Sequence, residues 1–420
     1  MEPQTVDDLR NLTLRDTAVS VKTGNPAIDS KVIENIRKRG RVPFILSFDS
    51  SYNGTSGDIF NDGGSYYQFF SIDDVLNRIA ENTNSTLFDA RNTFGYFLFM
   101  YSVAVARAES MASSAVVIPQ SVIPVRPRDP DQLHQLLQKL TDEGTSRDTN
   151  ITLDLLLADD TKQGHEERDI AKNNVAVLIS GGTDSIGVAY IERGLGKAIS
   201  PVQILYGQAA RHQESWCVER IAEDLGLGLD MLCRVDMPVL KRFGASGLLR
   251  DDVKITEKNK KIEYVPFRNT VFISLGMIHA ELTGTPYIAI GANHDDTLAP
   301  DGTPSYVEAI NAVIESAGWP IRIIAPLLGF GGKPEIIRTG KELGVNFSHT
   351  WSCHSYIPPE EVGSKARACG TCGNCSTRYS AFLKLGFEDP IGYKKVPKIR
   401  TNWAGPQHNY EALRRTLNIK

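Results

Sequence analysis

Short apolar runs alternate with helical stretches through the second half of this 420-residue chain. The apolar runs cover residues 175–179, 202–206, 231–235, 287–290 and 321–324, and the helical stretches include residues 214–225, 270–282 and 334–343. This alternation is typical of a parallel sheet whose two faces are covered by helices. The pattern therefore predicts a doubly wound α/β domain that binds ligands beyond the carboxyl ends of its strands.

The first half of the chain has a less regular pattern. Residues 42–48 are apolar and predict a strand, whereas residues 49–65 are rich in Gly, Asn, Asp and Ser and predict a long loop. Residues 87–111 have helical length and few breakers, and residues 115–125 have an extended character. A further helix is predicted by four leucines that share one helical face: Leu133, Leu136, Leu137 and Leu140.

A polar, charged stretch at residues 159–174 separates the two halves and predicts a linker. We therefore expect two domains. Residues 1–160 form an N-terminal extension of α/β or α+β type, and residues 170–395 form the doubly wound domain. Residues 396–420 are expected to be a C-terminal tail.

Charge and cysteine content narrow the class of protein. The net charge of −4 gives no strong field for nucleic acid or membranes. The amino terminus lacks a signal pattern, and the longest apolar run, residues 94–106, is too short to span a bilayer. We expect a cytoplasmic protein, in which the six cysteines stay reduced and a cysteine cluster favours metal binding over disulfides.

The strongest motif follows the first strand of the second domain and opens a helix. Its residues are Ser180, Gly181, Gly182, Thr183, Asp184 and Ser185. The adjacent glycines let backbone N–H groups approach an anion, and the helix N-terminus adds aligned donors. The two serines can donate to phosphate oxygens, and the aspartate is placed to hold Mg²⁺ bound to phosphate. The motif is neither a GxxxxGK[ST] loop nor a GxGxxG turn.

Four of the six cysteines lie within 23 residues, at Cys353, Cys369, Cys372 and Cys375. Four thiolates with two CxxC steps suit a tetrahedral zinc site without an open position, which predicts a structural zinc knuckle. An iron–sulfur cluster is the alternative that this spacing leaves open. Cys217 and Cys233 read as buried small hydrophobic residues.

The SGGTDS motif resembles the signature of the PP-loop ATP pyrophosphatases, a family with the adenine nucleotide alpha hydrolase-like fold. Further segments resemble one branch, the 7-cyano-7-deazaguanine synthase (QueC) family. These segments are YGQ at 206–208, RHQE at 211–214, VPFRN at 265–269, GANHDD at 291–296, Pro326-Leu327 with Lys333 and Glu335, TWSC at 350–353, and CGTCGNC at 369–375 with Arg378, Ala381 and Phe382. Together they cover residues 175–385, about half of the chain.

The resemblance implies an ATP-dependent C–N ligase that adenylates the carboxylate of 7-carboxy-7-deazaguanine and forms AMP and pyrophosphate. It implies Mg²⁺ and Zn²⁺ as metals. The residues implied to bind ATP are the whole SGGTDS motif together with Tyr206, Gln208, Arg268, Asn269, Gly291, Asn293 and Asp295. The residues implied to act in catalysis are Asp184, Arg211, His212, Arg268 and Lys333, with Arg268, Lys333 and Arg211 as cations for the departing pyrophosphate and His212 as an acid–base group.

Three departures from the family pattern set this chain apart. The region before residue 160 has no counterpart in the short biosynthetic enzymes, and a loop of about 15 residues lies between Cys353 and Cys369. The tyrosine-proline-aspartate-cysteine segment of the family is absent, since the chain reads TLAPDGTPSYVEAI there. Extended QueC-like proteins of this kind occur in bacterial anti-phage operons. The acceptor is therefore hypothesised to be an amine other than free ammonia, such as a protein amine from an operon partner.

The sequence leaves other functions open. One alternative is the biosynthetic enzyme, which uses ammonia to form the amide and then the nitrile. A tRNA-thiolating PP-loop enzyme would need a reactive cysteine near the phosphate loop, and none is present there. An alternative of another class is a catalytically idle scaffold that binds nucleotide or a partner. A homodimer is compatible with the resemblance.

Overall fold

The computed structural model describes residues 17–22, 26–48, 59–62, 65–70, 72–91, 93–119, 130–146, 150–156, 173–243, 246–295 and 299–403. Several sequence predictions lie wholly or partly outside these residues. They include the predicted loop at residues 49–58 and 63–64, the linker up to residue 172, the extended segment from residue 120 onward, Asp296 of the GANHDD segment, and the tail from residue 404.

The N-terminal region forms a six-stranded sheet with the strand order β3-β4-β2-β1-β5-β6. All neighbouring strands pair in parallel except β3 and β4, which are antiparallel. The strands are β1 (Thr17–Val21), β2 (Val42–Ser47), β3 (Ile59–Asp62), β4 (Ser65–Phe69), β5 (Ala115–Pro119) and β6 (Thr152–Leu156), and the helices are α1 (Pro26–Lys38), α2 (Asp73–Asn82), α3 (Leu87–Arg91), α4 (Phe94–Ser110) and α5 (Pro130–Gly144). The extension is therefore of the α/β type, which confirms one of the two expected classes.

The second region contains a five-stranded parallel sheet with the order β11-β10-β7-β8-β9. Its strands are β7 (Asn174–Leu178), β8 (Ala198–Leu205), β9 (Cys233–Asp236), β10 (Tyr287–Ala289) and β11 (Arg322–Ile324), and its helices are α6 (Thr183–Gly194), α7 (Arg211–Asp224), α8 (Arg268–Thr283), α9 (Pro304–Ser316) and α10 (Lys333–Glu342). The cysteine region adds α11 (Gly373–Lys384) and a two-stranded sheet of β12 (Arg367–Ala368) and β13 (Gly392–Tyr393).

Side chains of the central strand β7 alternate between two cores, as expected for a sheet covered on both faces. Val175 and Val177 pack with α6, α7 and α10, whereas Ala176 faces the core that contains α8. The predicted doubly wound sheet is therefore confirmed.

The buried helix α4 joins the two regions. One side of α4 packs on the N-terminal sheet and another packs against α8 of the second region. At the crossing, Gly95 lets the backbones approach so closely that a Cβ there would lie 2.5 Å from the amide nitrogen of Ile278. The carboxylate of Glu281 accepts the N–H groups of Phe94 at 2.9 Å and Gly95 at 2.7 Å. A side chain of α8 thus satisfies the first turn of α4, where N–H groups have no partner within the helix.

Two local predictions for the first half are wrong. The predicted loop at residues 49–65 contains a strand, β3, because polar residues there pair with β4 at the sheet edge. The predicted helix at residues 87–111 is two helices, because Thr93 has extended backbone angles and caps α4 by accepting the N–H of Tyr96 at 3.0 Å. The apolar run at residues 94–106 lies within the buried helix α4.

Candidate active site

The SGGTDS motif forms the turn between β7 and α6, at the carboxyl edge of the sheet. Gly181 has a φ of +82°, and a Cβ there would lie 2.7 Å from the carbonyl oxygen of Glu214. The hydroxyl of Ser185 accepts the N–H of Ser180 at 3.0 Å, and the hydroxyl of Ser180 accepts the N–H of Gly182 at 3.3 Å. The loop is therefore held in shape by its own hydroxyl groups, with the first turn of α6 facing the space beyond it.

A cavity of about 300 Å³ lies beyond the strand ends and is bordered by this loop. Its position is the one that parallel α/β sheets favour for ligands. Thirteen of the predicted site residues line it: Ser180, Gly182, Thr183, Asp184, Ser185, Tyr206, Gln208, Arg268, Asn269, Gly291, Asn293, Asp295 and Lys333. Gly291 also permits close packing, since a Cβ there would lie 2.9 Å from the amide nitrogen of Ser185.

Lys333 is the cation closest to the phosphate-type loop among the described contacts. Its ammonium group donates to both carboxylate oxygens of Asp184 at 2.5 Å and to the hydroxyl of Thr183 at 3.1 Å. Asn293 donates to the same aspartate at 3.1 Å, and the backbone N–H of Lys333 donates to Asp295 at 2.8 Å. Lys333 is largely buried, with 8% of its surface exposed, so its charge acts in a poorly screened environment.

A second positively charged side chain, Arg268, lines the cavity at the N-terminus of α8. The guanidinium of Arg268 lies over the rings of Tyr206 and Phe272, at 5.7 and 5.8 Å from their centroids. The first N–H groups of α8 are capped by Asp301, which accepts the N–H of Asn269 at 2.6 Å. Burial raises the pKa of the Asp301 carboxyl to about 7, while these N–H groups and Arg268 act in the opposite direction.

Sequence reasoning missed the role of Asp301. It belongs to the segment that lacks the family's full tyrosine-proline-aspartate-cysteine pattern. The proline and aspartate of that pattern stand at Pro300 and Asp301, whereas Ala299 and Gly302 replace the tyrosine and cysteine. The segment therefore still delivers a carboxylate to the cavity. The Pro-Asp pair was the signal that could have revealed it.

The N-terminal region also contacts the cavity wall. The hydroxyl of Tyr264, a residue that lines the cavity, donates to both carboxylate oxygens of Glu109 in α4 at 3.0 Å. Glu109 also accepts the N–H of Ser146 at 2.7 Å. Burial raises the pKa of Glu109, and its hydrogen bonds counteract that shift. The two regions thus share one polar network at the site, over a separation of 155 residues.

The C-terminal segment supplies a further cation that the sequence did not indicate. Arg400 lines the cavity and donates to Asp295 at 3.1 Å. Its backbone N–H donates to Ser380 at 2.7 Å, and its guanidinium lies 5.3 Å from the ring centroid of Trp403. The predicted tail, as far as residue 403, therefore packs against the second region.

Three of the residues predicted to bind ATP or to act in catalysis do not line the cavity: Gly181, Arg211 and His212. Arg211 pairs with Asp251 at 3.0 Å and lies 5.9 Å from the ring centroid of Tyr356. His212 stands in the first turn of α7. The proposed pyrophosphate-binding role of Arg211 and the acid–base role of His212 stay predictions.

The four clustered cysteines converge as the spacing predicted. The sulfur atoms of Cys353, Cys369, Cys372 and Cys375 all lie within 4.8 Å of one another. The sulfur of Cys353 accepts the N–H of Cys369 at 3.3 Å, and that of Cys369 accepts the N–H of Thr371 at 3.3 Å. A set of four thiolates supported by backbone N–H groups fits a tetrahedral zinc ion.

The knuckle depends on one glycine. Gly370 has a φ of +72°, and a Cβ there would lie 1.7 Å from the carbonyl oxygen of Lys395.

The two cysteines outside the cluster, Cys217 and Cys233, are buried, and burial raises the pKa of both thiols to about 12. They are therefore the buried small residues that the sequence predicted, and the raised pKa keeps their thiols unreactive.

A Gly-rich phosphate-type loop at the first strand–helix turn, with a lysine–aspartate pair beside it, defines a PP-loop type α/β protein. Comparison with known families makes this specific. Residues 174–386 match the family model described as "Queuosine biosynthesis protein QueC". The chain belongs to the QueC family.

Curated relatives agree with this assignment. A protein of Chlorobium phaeobacteroides named 7-cyano-7-deazaguanine synthase is 35% identical over 230 residues, which is 53% of this chain and 97% of the relative. A protein of the same name from Methanosphaerula palustris is 33% identical over 227 residues, 52% of this chain and 98% of the relative. These relatives support an ATP-dependent, QueC-like enzyme, and they match a part of this chain that excludes the N-terminal sheet.

A solved structure titled as a predicted subunit of a tRNA methyltransferase from Methanocaldococcus jannaschii matches with a TM-score of 0.29 and 19% identity, over 53% of this chain and 92% of the other. That similarity is too low to carry an argument. Among the helices of the described residues, none is both long and apolar enough to cross a membrane.

Proposed function

We propose that the protein uses ATP to activate the carboxylate of a 7-deazaguanine acid and transfers the acyl group to an amine. The observation that carries this proposal is the partly buried contact of Lys333 with Asp184 at the N-terminus of α6, inside the cavity. A cation and helix N–H groups directed at one place suit the charge that develops on a polyphosphate as it is cleaved.

The chemistry needs two steps. A carboxylate oxygen of the acid attacks the α-phosphorus of ATP, the bond from that phosphorus to the bridging oxygen breaks, and pyrophosphate leaves. The amine nitrogen then attacks the acyl carbon, AMP leaves with the carboxylate oxygen, and the amine loses a proton to solvent. Lys333 and Arg268 stabilise the leaving phosphates, and no side-chain nucleophile is required.

Asp184, Asn293 and Asp295 are the residues that would hold Mg²⁺. They fit because carboxylate and amide oxygens are its preferred protein ligands and because the three residues are linked by hydrogen bonds of 3.1 and 2.8 Å. When bound, the ion neutralises phosphate charge. Lys333 holds the Asp184 carboxylate in position.

The four-cysteine cluster is proposed to hold a structural zinc ion. The chemistry of the donor set supports this, since four protein ligands leave no position for substrate or water. The cluster is joined to the cavity through the chain itself, because Ser352, His354 and Asn374 line the cavity beside Cys353 and Cys375. We therefore propose that the zinc ion has a structural role and keeps this wall of the cavity in place.

We propose a protein amine as the acceptor, in an anti-phage defence system. This part rests on the N-terminal sheet, which the matched relatives do not share and which contacts the cavity wall through Glu109 and Tyr264. The alternative is the biosynthetic reaction with ammonia, which the names of the relatives favour. A homodimer stays part of the proposal and is checked by the mass of the assembly in solution.

The experiment measures pyrophosphate from purified protein supplied with ATP, Mg²⁺ and 7-carboxy-7-deazaguanine, with and without ammonia. Products and co-expressed partner proteins are analysed by mass spectrometry. Pyrophosphate that depends on the acid, and an adduct of the expected mass on a partner, are the expected results. Free amide or nitrile without any adduct would assign the biosynthetic reaction. No pyrophosphate under any condition would assign the idle scaffold.

A further inference from the structure

One carboxylate in the cavity wall is not used by the contacts described above. Among the described carboxylates that line the cavity, Glu263 alone has a buried oxygen, Oε1, that accepts no hydrogen bond. The residue is 7% exposed and ends the short 3₁₀ segment Glu257–Glu263, just before Tyr264. A buried carboxylate without donors is costly, so an unused acceptor at a cavity wall calls for an explanation.

A histidine ring lies beside this acceptor. His354 Nδ1 lies 3.5 Å from Glu263 Oε1, longer than a normal hydrogen bond. His354 Nε2 lies 2.6 Å from the amide nitrogen of Asn374. His354 therefore lies between the side-chain amide of Asn374 and the carboxylate of Glu263.

The other carboxylates of the wall are already engaged. Asp184 accepts from Lys333, Asp295 from Arg400, and Asp301 from the start of α8. Glu214 accepts from Gln208 at 2.8 Å, and burial raises the pKa of its carboxyl. Glu263 is therefore the least engaged carboxylate of the wall: its near polar neighbour is His354 Nδ1 at 3.5 Å, beyond a normal hydrogen bond, and lone pairs on its oxygens are left for a ligand.

We propose that Glu263, with His354 beside it, forms a subsite that reads the 2-amino-4-oxopyrimidine edge of a guanine-type base. This inference rests on the proposed function and assigns the part of the site that selects the acid. The ring N–H and the 2-amino group of such a base are adjacent donors that match the two oxygens of one carboxylate. Charged acceptors of this kind make strong, directional hydrogen bonds to a base edge.

The adenine ring of ATP also carries an amino group, so the test has to separate the two bases. Calorimetry measures the Kd of 7-carboxy-7-deazaguanine and of its analogue without the 2-amino group, each without ATP, and in a separate titration the Kd of ATP. The proteins compared are the unaltered chain, Glu263→Gln, and Glu315→Gln as a matched change at an exposed position in α9. Thermal unfolding checks that each variant is folded, and Glu263→Asp serves as the variant that retains the charge.

We expect the unaltered protein to bind the 2-amino acid roughly 10- to 100-fold more tightly than the analogue. Glu263→Gln lowers that ratio towards one, Glu263→Asp retains part of it, and Glu315→Gln leaves it unchanged. The inference is overturned if the unaltered protein does not discriminate, if Glu263→Gln keeps the full ratio, or if this variant weakens only the binding of ATP. Binding that discriminates without any release of pyrophosphate would uphold the subsite and reject the proposed reaction.

Discussion

Replacing Gly95 by Ala tests whether the N-terminal sheet is joined to the second region by a close helix crossing. The new Cβ would lie 2.5 Å from the amide nitrogen of Ile278, 2.8 Å from the carbonyl oxygen of Ser274 and 2.9 Å from the carbonyl carbon of Met277. All three are backbone atoms of α8 and cannot rotate away. The helices α4 and α8 would have to separate by roughly 1 Å, which forfeits a quarter to a half of each dispersion contact at the crossing.

The test is decided by whether Gly95→Ala raises or lowers the free energy of unfolding. Gly95 is the second residue of α4, where alanine is favoured over glycine by about 1 kcal/mol at most, so helix propensity alone predicts a more stable protein. Overpacking costs about 1–3 kcal/mol, and backbone neighbours place this site at the upper end. The free energy of unfolding should therefore fall by roughly 2 kcal/mol.

Urea unfolding followed by tryptophan fluorescence measures this change, because Trp319 stacks against Phe94 in the first turn of α4. The matched control is Gly187→Ala in α6, where a Cβ meets only the side-chain carbon Cγ2 of Ile336 at 3.1 Å and the neighbour can move. A Gly95→Ala protein that is as stable as the Gly187→Ala protein, or more stable than the unaltered chain, would refute the close crossing.

Four further predictions follow from the site. Lys333→Met should lower kcat of acid-dependent pyrophosphate release by about 100- to 1000-fold, because it removes the cation beside Asp184, whereas Lys341→Met at the other end of α10 should have little effect. Asp301→Asn should flatten the pH dependence of stability between about pH 4 and 7. Burial raises the pKa of this carboxyl to about 7 when folded, so the folded state holds the proton more tightly and stability falls as the pH rises through this window, by roughly 4 kcal/mol at most. Tyr264→Phe should raise KM for the acid and lower the free energy of unfolding by about 1 kcal/mol, since the partly buried Glu109 loses a donor, and equal kinetics in both proteins would contradict a role in the site. Cys372→Ser should lower the zinc content measured by atomic emission and reduce the melting temperature, and iron with visible absorption in the unaltered protein would assign the cluster to iron–sulfur chemistry instead.

The second region could be predicted from sequence because its signals are local. Strands buried on both faces appear as continuous apolar runs, and β7, β8, β10 and β11 fall where those runs are. The SGGTDS motif that begins at residue 180 follows the first of these strands. The spacing of the four cysteines by itself predicts a tetrahedral four-thiolate site. In β9 the prediction was shifted, since residues up to Met231 form a 3₁₀ turn and the strand begins at Cys233.

The rest of the site depends on contacts between residues far apart in the sequence. Tyr264 meets Glu109 over 155 residues, and Arg400 meets Asp295 over 105. No periodicity or spacing encodes such pairs, since each partner alone has the pattern of an ordinary polar residue. The same holds for Glu281, whose role in capping α4 follows only from the packing of α4 on α8. The edge strand β3 was missed because Asn61 and Asp62 are typical of loops.

The central claim is that the protein transfers an acyl group by adenylation, and labelled oxygen tests it most directly. The acid is prepared with ¹⁸O in its carboxylate and incubated with ATP, Mg²⁺ and an amine acceptor, and the AMP is analysed by mass spectrometry. Adenylation followed by displacement predicts AMP that carries one ¹⁸O atom, in an amount equal to the pyrophosphate released. Unlabelled AMP, or ADP and phosphate in place of AMP and pyrophosphate, would contradict the account.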